Sequence, residues 1–185
     1  MSAIANDAAL SRRCRQGDAQ AWRDFVKRFT PQVYRLALRM LRDGAEAEDA
    51  SQEAFLRCHR SISSFDPTRP LGPWVSRITY NVCLRRLEKV ARMPEADEEL
   101  AEWADAGPSP EQDTAMSEQH RLLARAMSEL SAQDRALLEL RYREGFSDAE
   151  LAESTSMAVG TVKTRLHRAR ASIRQWFFRN TRESS

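Results

Sequence analysis

Ser147–Trp176 reads SDAELAESTSMAVGTVKTRLHRARASIRQW, and its punctuation separates two helices. Ser147 stands three residues before Glu150, the spacing of a capping box, so a short helix is predicted from Asp148 to about Glu153. A turn around Ser154–Ala158 follows, and a long helix is predicted from about Val159. On that helix Val162, Leu166, Ala169, Ile173 and Phe177 recur at i, i+4, i+7, i+11 and i+15, one apolar stripe at the helical period. The opposite face carries Thr164, His167 and Arg168, with Lys163, Arg165 and Arg170 on its flanks. No acidic residue occurs from Val159 to Asn180. A cationic helix behind a short turn fits a recognition helix, with Thr164, His167 and Arg168 facing base edges and the flanking cations facing phosphates. Ala158 is a weak cap for it; the helix then starts about 1 kcal/mol poorer or borrows Ser156.

Upstream, Leu130–Tyr142 (LSAQDRALLELRY) opens on Ser131 and Asp134, a cap-like pair, and carries Leu137, Leu138 and Leu140 as apolar contacts. Gly145 closes that helix. The C-terminal part therefore reads as a small helical module ending in the cationic helix, and Trp176, Phe177 and Phe178, unusually apolar for a tail, either complete its core or offer a surface to a partner. A helix-turn-helix of this kind by itself also fits a conventional transcription regulator.

Charge divides the chain further. Residues 1–91 hold 16 Lys/Arg against 10 Asp/Glu, residues 92–118 hold 1 against 9, and residues 119–185 hold 12 against 8. Two basic modules, 1–91 and 119–185, thus flank an acidic tether at 92–118 that contains Gly107-Pro108-Ser109-Pro110. The tether suits a linker that stays off nucleic acid or imitates it in a positively charged channel.

Composition sets the class. Of 185 residues 42% are hydrophobic, enough for globular cores, while 6 glycines and 7 prolines leave long stretches of good helix formers. The predicted fold is all-α, two small helical domains joined by a flexible acidic linker. No run of about 18 apolar residues and no signal-peptide core is present, which predicts a cytoplasmic protein with no membrane insertion of its own. Cys14, Cys58 and Cys83 form no CxxC and are expected as buried small residues. His59, His120 and His167 lie in unrelated segments, and neither a Gly-rich phosphate loop nor a metal-ligand spacing occurs, so no catalytic residue, cofactor or metal is expected. His59 is expected to pack or hydrogen-bond at a helix surface.

The N-terminal module contains GDAQAWRDFVKRF (17–29), VYRLALRML (33–41) with Pro31 marking the start of a second helix, and AEDASQEAF (47–55). FDPTRPLGP (65–73) then interrupts the helices, and WVSRITYN (74–81) resumes one, burying Trp74, Val75, Ile78 and Val82. Together with LSAQDRALLELRYREGFSDAELAESTSMAVGTVKTRLHRAR, these pieces closely resemble the extracytoplasmic-function (ECF) group of bacterial sigma-70 factors, from about Gly17 to Trp176. The resemblance implies regions 2 and 4 without region 1.1 or a folded region 3, directing RNA polymerase core to promoters. It implies that Asp49, Gln52 and Glu53 meet the coiled coil of the β′ clamp, with Phe55 and Leu56 nearer the core. Ser51 stands where the family usually carries an apolar residue. The loop Ser64–Pro73 corresponds to the element that captures a base flipped from the −10 region, with Phe65, Asp66 and Arg69 as pocket residues. Arg77, Asn81, Arg85 and Arg86 match the surface on the upstream −10 duplex. Region 4 implies −35 recognition by Thr161, Lys163, Thr164, Arg165, His167 and Arg168, and contact with the β flap. The family further implies an anti-sigma factor as partner.

Overall fold

The computed structural model describes residues 3–91 and 118–182, so nearly all of the acidic tether lies outside the described residues. The N-terminal module comprises α1 (Ala3–Arg15), α2 (Ala19–Leu41), α3 (Gly44–Ser61), a 3-10 turn (Ile62–Ser64) and α4 (Leu71–Ala91). The C-terminal module comprises α5 (Glu118–Ser128), α6 (Ala132–Tyr142), α7 (Asp148–Thr155) and α8 (Val159–Arg182). Among the described residues no strand forms.

Local chemistry sets the helix ends. Asp18 accepts from the N–H groups of Gln20 and Ala21 at the start of α2, and Asp43 accepts from Glu46 N–H at the start of α3. Ser147 and Glu150 form the predicted capping box of α7, whose far end closes on Ser156 in the left-handed region at φ 57°. Ser156 is thereby committed to α7 and is not lent to α8. The amide of Val162 bonds the Ala158 carbonyl at 3.0 Å, so Ala158 itself takes the capping position.

Pro31 does not start a helix; α2 runs through it. The buried residues Ala21, Phe25, Phe29, Val33, Leu36, Ala37 and Met40 form one uninterrupted stripe across the proline. Burying each large apolar side chain contributes about 1.5–3 kcal/mol, so the stripe outweighs the ~3 kcal/mol cost of an interior proline. Pro31 lies on the exposed face, where water can satisfy the carbonyl it leaves without a donor. Likewise α4 begins at Leu71 rather than Trp74, because Pro73 falls in its first turn, where no intrahelical donor is missed. That shortens the predicted loop.

Small residues on α3 (Ala47, Ala50, Ser51, Ala54 and Cys58) let it lie close to α2 and α4. Ser51, in place of an apolar residue, turns inward and donates its hydroxyl to the Ala47 carbonyl at 2.6 Å. In the C-terminal module α8 packs against α5, α6 and α7. Its apolar stripe ends on Trp176, which is buried, rather than on half-buried Phe177.

The two modules do not stand apart. Helix α6 packs on α2 and α7 packs on α4, and Leu137, Leu140, Phe146 and Leu151 join the same buried cluster as Phe29, Val33, Leu71 and Val75. Polar contacts surround that junction. Arg35 reaches Glu144 at 2.6 Å, Arg39 reaches Glu139 at 3.2 Å and Ser154 donates to the Pro73 carbonyl at 3.3 Å. Arg135, buried, donates to the carbonyls of Arg39 and Met40 at the C-terminal end of α2.

Candidate nucleic-acid and protein interfaces

Three surfaces carry the residues singled out from sequence. On α8, Val162, Leu166 and Ala169 are buried, which turns Thr161, Lys163, Thr164, His167 and Arg168 to the exposed side. His167 and Arg168 meet no ion partner among the described residues. Thr164 donates its hydroxyl to the Gly160 carbonyl at 2.9 Å, which leaves its oxygen able to accept. Lys163 is loosely paired with Asp148 at 3.8 Å.

Arg165 differs from its neighbours. Its guanidinium bonds Asp134 at 2.8 Å and Ser131 at 3.1 Å, which ties α8 to the capped start of α6. Expected on a phosphate, it is half-buried and braces α8 on α6, because Asp134 and Ser131 of the capped helix start lie within its reach.

The second surface spans the loop and α4. Phe65, expected in a base pocket, is 3% exposed and packs at a tilt of 56° against Trp74 at a centroid distance of 5.1 Å. Its ring belongs to the core. The apolar burial of a phenyl ring outweighs its use at the surface. Asp66 is exposed and accepts from the Thr68 amide at 2.9 Å and the Thr68 hydroxyl at 2.7 Å. Those bonds, the amide foremost, hold its carboxyl below the usual range. Arg69 is half exposed and pairs with Glu153 of α7 at 2.8 Å. Along α4, Arg77 and Arg85 are exposed without an ion partner among the described residues, and Asn81 is half-buried beside them.

Arg86 also departs from expectation. It reaches back to α3, binding Glu46 at 2.6 Å and Glu53 at 3.2 Å. Burial alone would lower its pKa, but those two carboxylates more than compensate and hold it above the ordinary arginine value. In the same way burial alone would raise Glu53, yet Arg57 at 2.6 Å and Arg86 hold its carboxyl below the usual range.

The third surface is the outer face of α3. Asp49 and Gln52 are exposed, Glu53 is half-buried under its two arginines, and Leu56, expected near the core, is 59% exposed. Phe55 does turn inward, edge-on to Phe25 at 6.4 Å. Spacing of i, i+3, i+4 and i+7 puts Asp49, Gln52, Glu53 and Leu56 on one face, an acidic stripe ending in an apolar residue. His59 lies one turn further and packs its ring on Trp22 at 4.6 Å.

All three cysteines are buried. Desolvation pushes the Cys14 thiol up to about 11 and those of Cys58 and Cys83 up to about 12. Among the described residues no group of His, Cys, Asp or Glu is arranged to hold a metal ion, and no helix is long and apolar enough to cross a membrane.

Sequence reasoning overlooked α1 and the acidic residues of the junction, Glu139, Glu144 and Glu153. A signal for Glu139 was present. Arg135 and Glu139 interrupt the apolar run of α6 four residues apart, and charges inside such a run mark a polar contact with another element.

Comparisons with known proteins place this geometry. Residues 25–93 match the family model for sigma-70 region 2, and residues 120–173 match that for sigma-70 region 4. The ECF RNA polymerase sigma factor SigW of Bacillus subtilis is 32% identical over 170 residues, covering 87% of this chain and 91% of that protein. The ECF RNA polymerase sigma factor SigM of Mycobacterium tuberculosis (strain H37Rv) is 34% identical over 169 residues, covering 91% and 83%. Among solved structures, CnrH in complex with the cytosolic domain of CnrY has a TM-score of 0.64 at 24% identity, covering 91% of this chain and 95% of that one. The sigma factor RpoE in complex with the anti-sigma factor NepR from Bartonella quintana also has a TM-score of 0.64, at 23% identity, covering 83% and 96%. These two establish the likeness of fold.

Proposed function

The chain belongs to the extracytoplasmic-function group of sigma-70 factors, and from that premise we propose how its residues direct RNA polymerase to promoters. It serves as the promoter-specificity subunit of the cytoplasmic polymerase, not as an enzyme in its own right. One observation carries the reading of its DNA contacts. Helix α8 buries one face in the core and leaves Thr161, Thr164, His167 and Arg168 outward, a major-groove reader for the −35 element flanked by Lys163.

The −10 element is taken by the loop and α4. Asp66 and Arg69 line the loop rim, while Arg77, Asn81 and Arg85 follow the duplex upstream. Phe65 supports that rim from below through Trp74. Arg86 holds α4 to the polymerase-binding helix through Glu46 and Glu53, and Arg165 holds α8 to α6. Both act on DNA only through the helices they brace.

Asp49, Gln52 and Leu56 dock on the β′ clamp, where an acidic stripe suits a basic helical partner, and region 4 meets the β flap. Arg69 must exchange Glu153 for DNA when the loop engages the promoter. An anti-sigma factor controls the protein by covering these surfaces. The exposed Leu56, Leu123 and Phe178 are apolar positions such a partner would bury.

Run-off transcription with core polymerase on a genomic promoter set tests the assignment. Arg168→Ala weakens initiation that depends on the −35 element, and Arg69→Ala slows opening at the −10 element. Equal activity of both variants and wild type refutes these roles. Tight binding of duplex promoter DNA without polymerase, with no initiation in its presence, points to a conventional regulator instead.

A further inference from the structure

Helix α1 has no part in the contacts above, yet it grips both ends of the loop. Asp7 has a side chain only 3% exposed. Its Oδ2 accepts the N–H of Leu71, the first residue of α4, at 2.7 Å, and its Oδ1 pairs with Arg28 of α2 at 2.6 Å. Eight residues on, at Arg15, Nε donates to the Ile62 carbonyl at 3.0 Å and a terminal guanidinium nitrogen donates to the Phe65 carbonyl. The upstream end of the loop is therefore fastened by Arg15 and the downstream end by Asp7. Between these anchors lie Asp66–Pro70, with the Asp66 turn closed on itself by Thr68 and by the Arg69 amide.

The chemistry of each anchor favours one geometry. A carboxylate at a helix N-terminus satisfies an amide without an intrahelical partner and meets the positive end of the macrodipole. A buried carboxylate is costly unless paired, and Arg28 supplies that pair, so Asp7 has little freedom to move. Arg15 delivers two parallel donors to two carbonyls three residues apart, which a flexible ammonium cannot reproduce. Because both side chains project from one rigid helix, the distance between the loop ends is set by the rise of α1 and not by the loop itself. Fixed supports of this kind are what a loop needs to present a capture site in advance of its ligand.

We propose that α1 is the positioning element of the strand-capturing loop, with Asp7 and Arg15 as positioning residues that set the loop's span. The proposal rests on the reading of the loop as the −10 reader. Neither residue touches DNA. Their loss widens the ensemble of loop shapes and weakens capture of the extruded base, without affecting the −35 contact or the α3 face.

The test uses holoenzyme assembled from full-length chain and core polymerase, with a fluorescent single-stranded oligonucleotide carrying the non-template −10 sequence of a promoter found by run-off transcription. Arg15→Ala and Asp7→Ala are expected to weaken strand binding at least tenfold, since a single charge-assisted hydrogen bond is worth about tenfold and each residue makes more than one such contact. Affinity for core and for a −35 duplex is expected to stay at wild-type level. Arg15→Lys, whose single nitrogen cannot span both carbonyls as the guanidinium fork does, falls between, and Asp7→Asn, which keeps an acceptor for Leu71, loses less than Asp7→Ala. If Asp7→Ala does not fold, the Asn and Lys variants decide by the same ratio of strand to core affinity. Wild-type strand binding in the variants overturns the proposal, as does a loss of core affinity in step with strand affinity. Wild-type holoenzyme that does not retain the strand overturns the loop assignment itself.

Discussion

Replacing Arg135 with alanine is expected to loosen the docking of the C-terminal module on the N-terminal one. Arg135 is 8% exposed and donates to the Arg39 carbonyl at 2.7 Å and the Met40 carbonyl at 3.1 Å. Both acceptors lie in the last turn of α2, where carbonyls have no intrahelical donor and the helix dipole is negative. Each charged hydrogen bond contributes about 1.5–3 kcal/mol, and truncation leaves two carbonyls of α2 and the Leu130 carbonyl of its own module to be rehydrated. The freed carbonyls of α2 regain part of that in bonds to water, so the net loss across the junction is about 3–4 kcal/mol, a shift of at least a hundredfold in the docking equilibrium. Single-molecule energy transfer between dyes at Glu48→Cys and Arg174→Cys reads that equilibrium, since both positions are exposed and the native cysteines are buried. Arg135→Ala is expected to shift population from the docked, high-efficiency state toward a lower-efficiency one, while the remaining apolar and polar contacts of the junction hold part of the ensemble docked and circular dichroism keeps its helical signal. The same efficiency distribution in both proteins, with the substitution in place, would refute the view that this guanidinium fastens the modules.

Other outcomes follow from the same contacts. Arg168→Ala weakens −35 duplex binding by about 1–3 kcal/mol and leaves thermal stability within ~0.5 kcal/mol. Arg165→Ala does the reverse in its first effect, lowering the unfolding midpoint through the lost Asp134 and Ser131 contacts; unchanged stability of that variant would remove its role as a brace. The depressed pKa of Glu53 means that its contribution is complete above its unfolded-state value, about 4.3, and is lost as pH falls through the lower folded value. Urea unfolding of wild type and Glu53→Gln should therefore differ at pH 7 and converge on acidification, and a constant difference would contradict the pairing. The raised thiol values of Cys58 and Cys83, about 12, have the opposite sense. Their contribution is complete below the unfolded thiol value, about 8.5, and is lost as pH rises through the folded one. At pH 8 a maleimide should label neither thiol until urea is added, and rapid labelling of the native chain would show that the sites open.

Much of the C-terminal surface was legible because it depends on local rules. The Ser147–Glu150 box and the period of Val162, Leu166 and Ala169 fix where α8 starts and which way it faces, and those facts alone turn Thr164, His167 and Arg168 outward. The loop was less legible. An aromatic next to Asp-Pro reads equally as a stacking platform or as a core plug, and Trp74, nine residues on, makes Phe65 the plug. Leu56 was misread for a related reason, since one apolar residue in an acidic stripe carries no period of its own.

The sequence by itself determined the all-α class, the Ser131 and Ser147 caps and the family, because each rests on neighbours within a few turns or on motifs in a fixed order. Only the tertiary structure decided which cations remain available. Arg86 finds Glu46 across 40 residues, Arg165 finds Asp134 across 31, and Arg35 finds Glu144 across 109. A charge on a helix face looks the same in sequence whether water or a carboxylate of another helix stands beside it. Its partner is set by how the helices pack, and the local period carries no record of that.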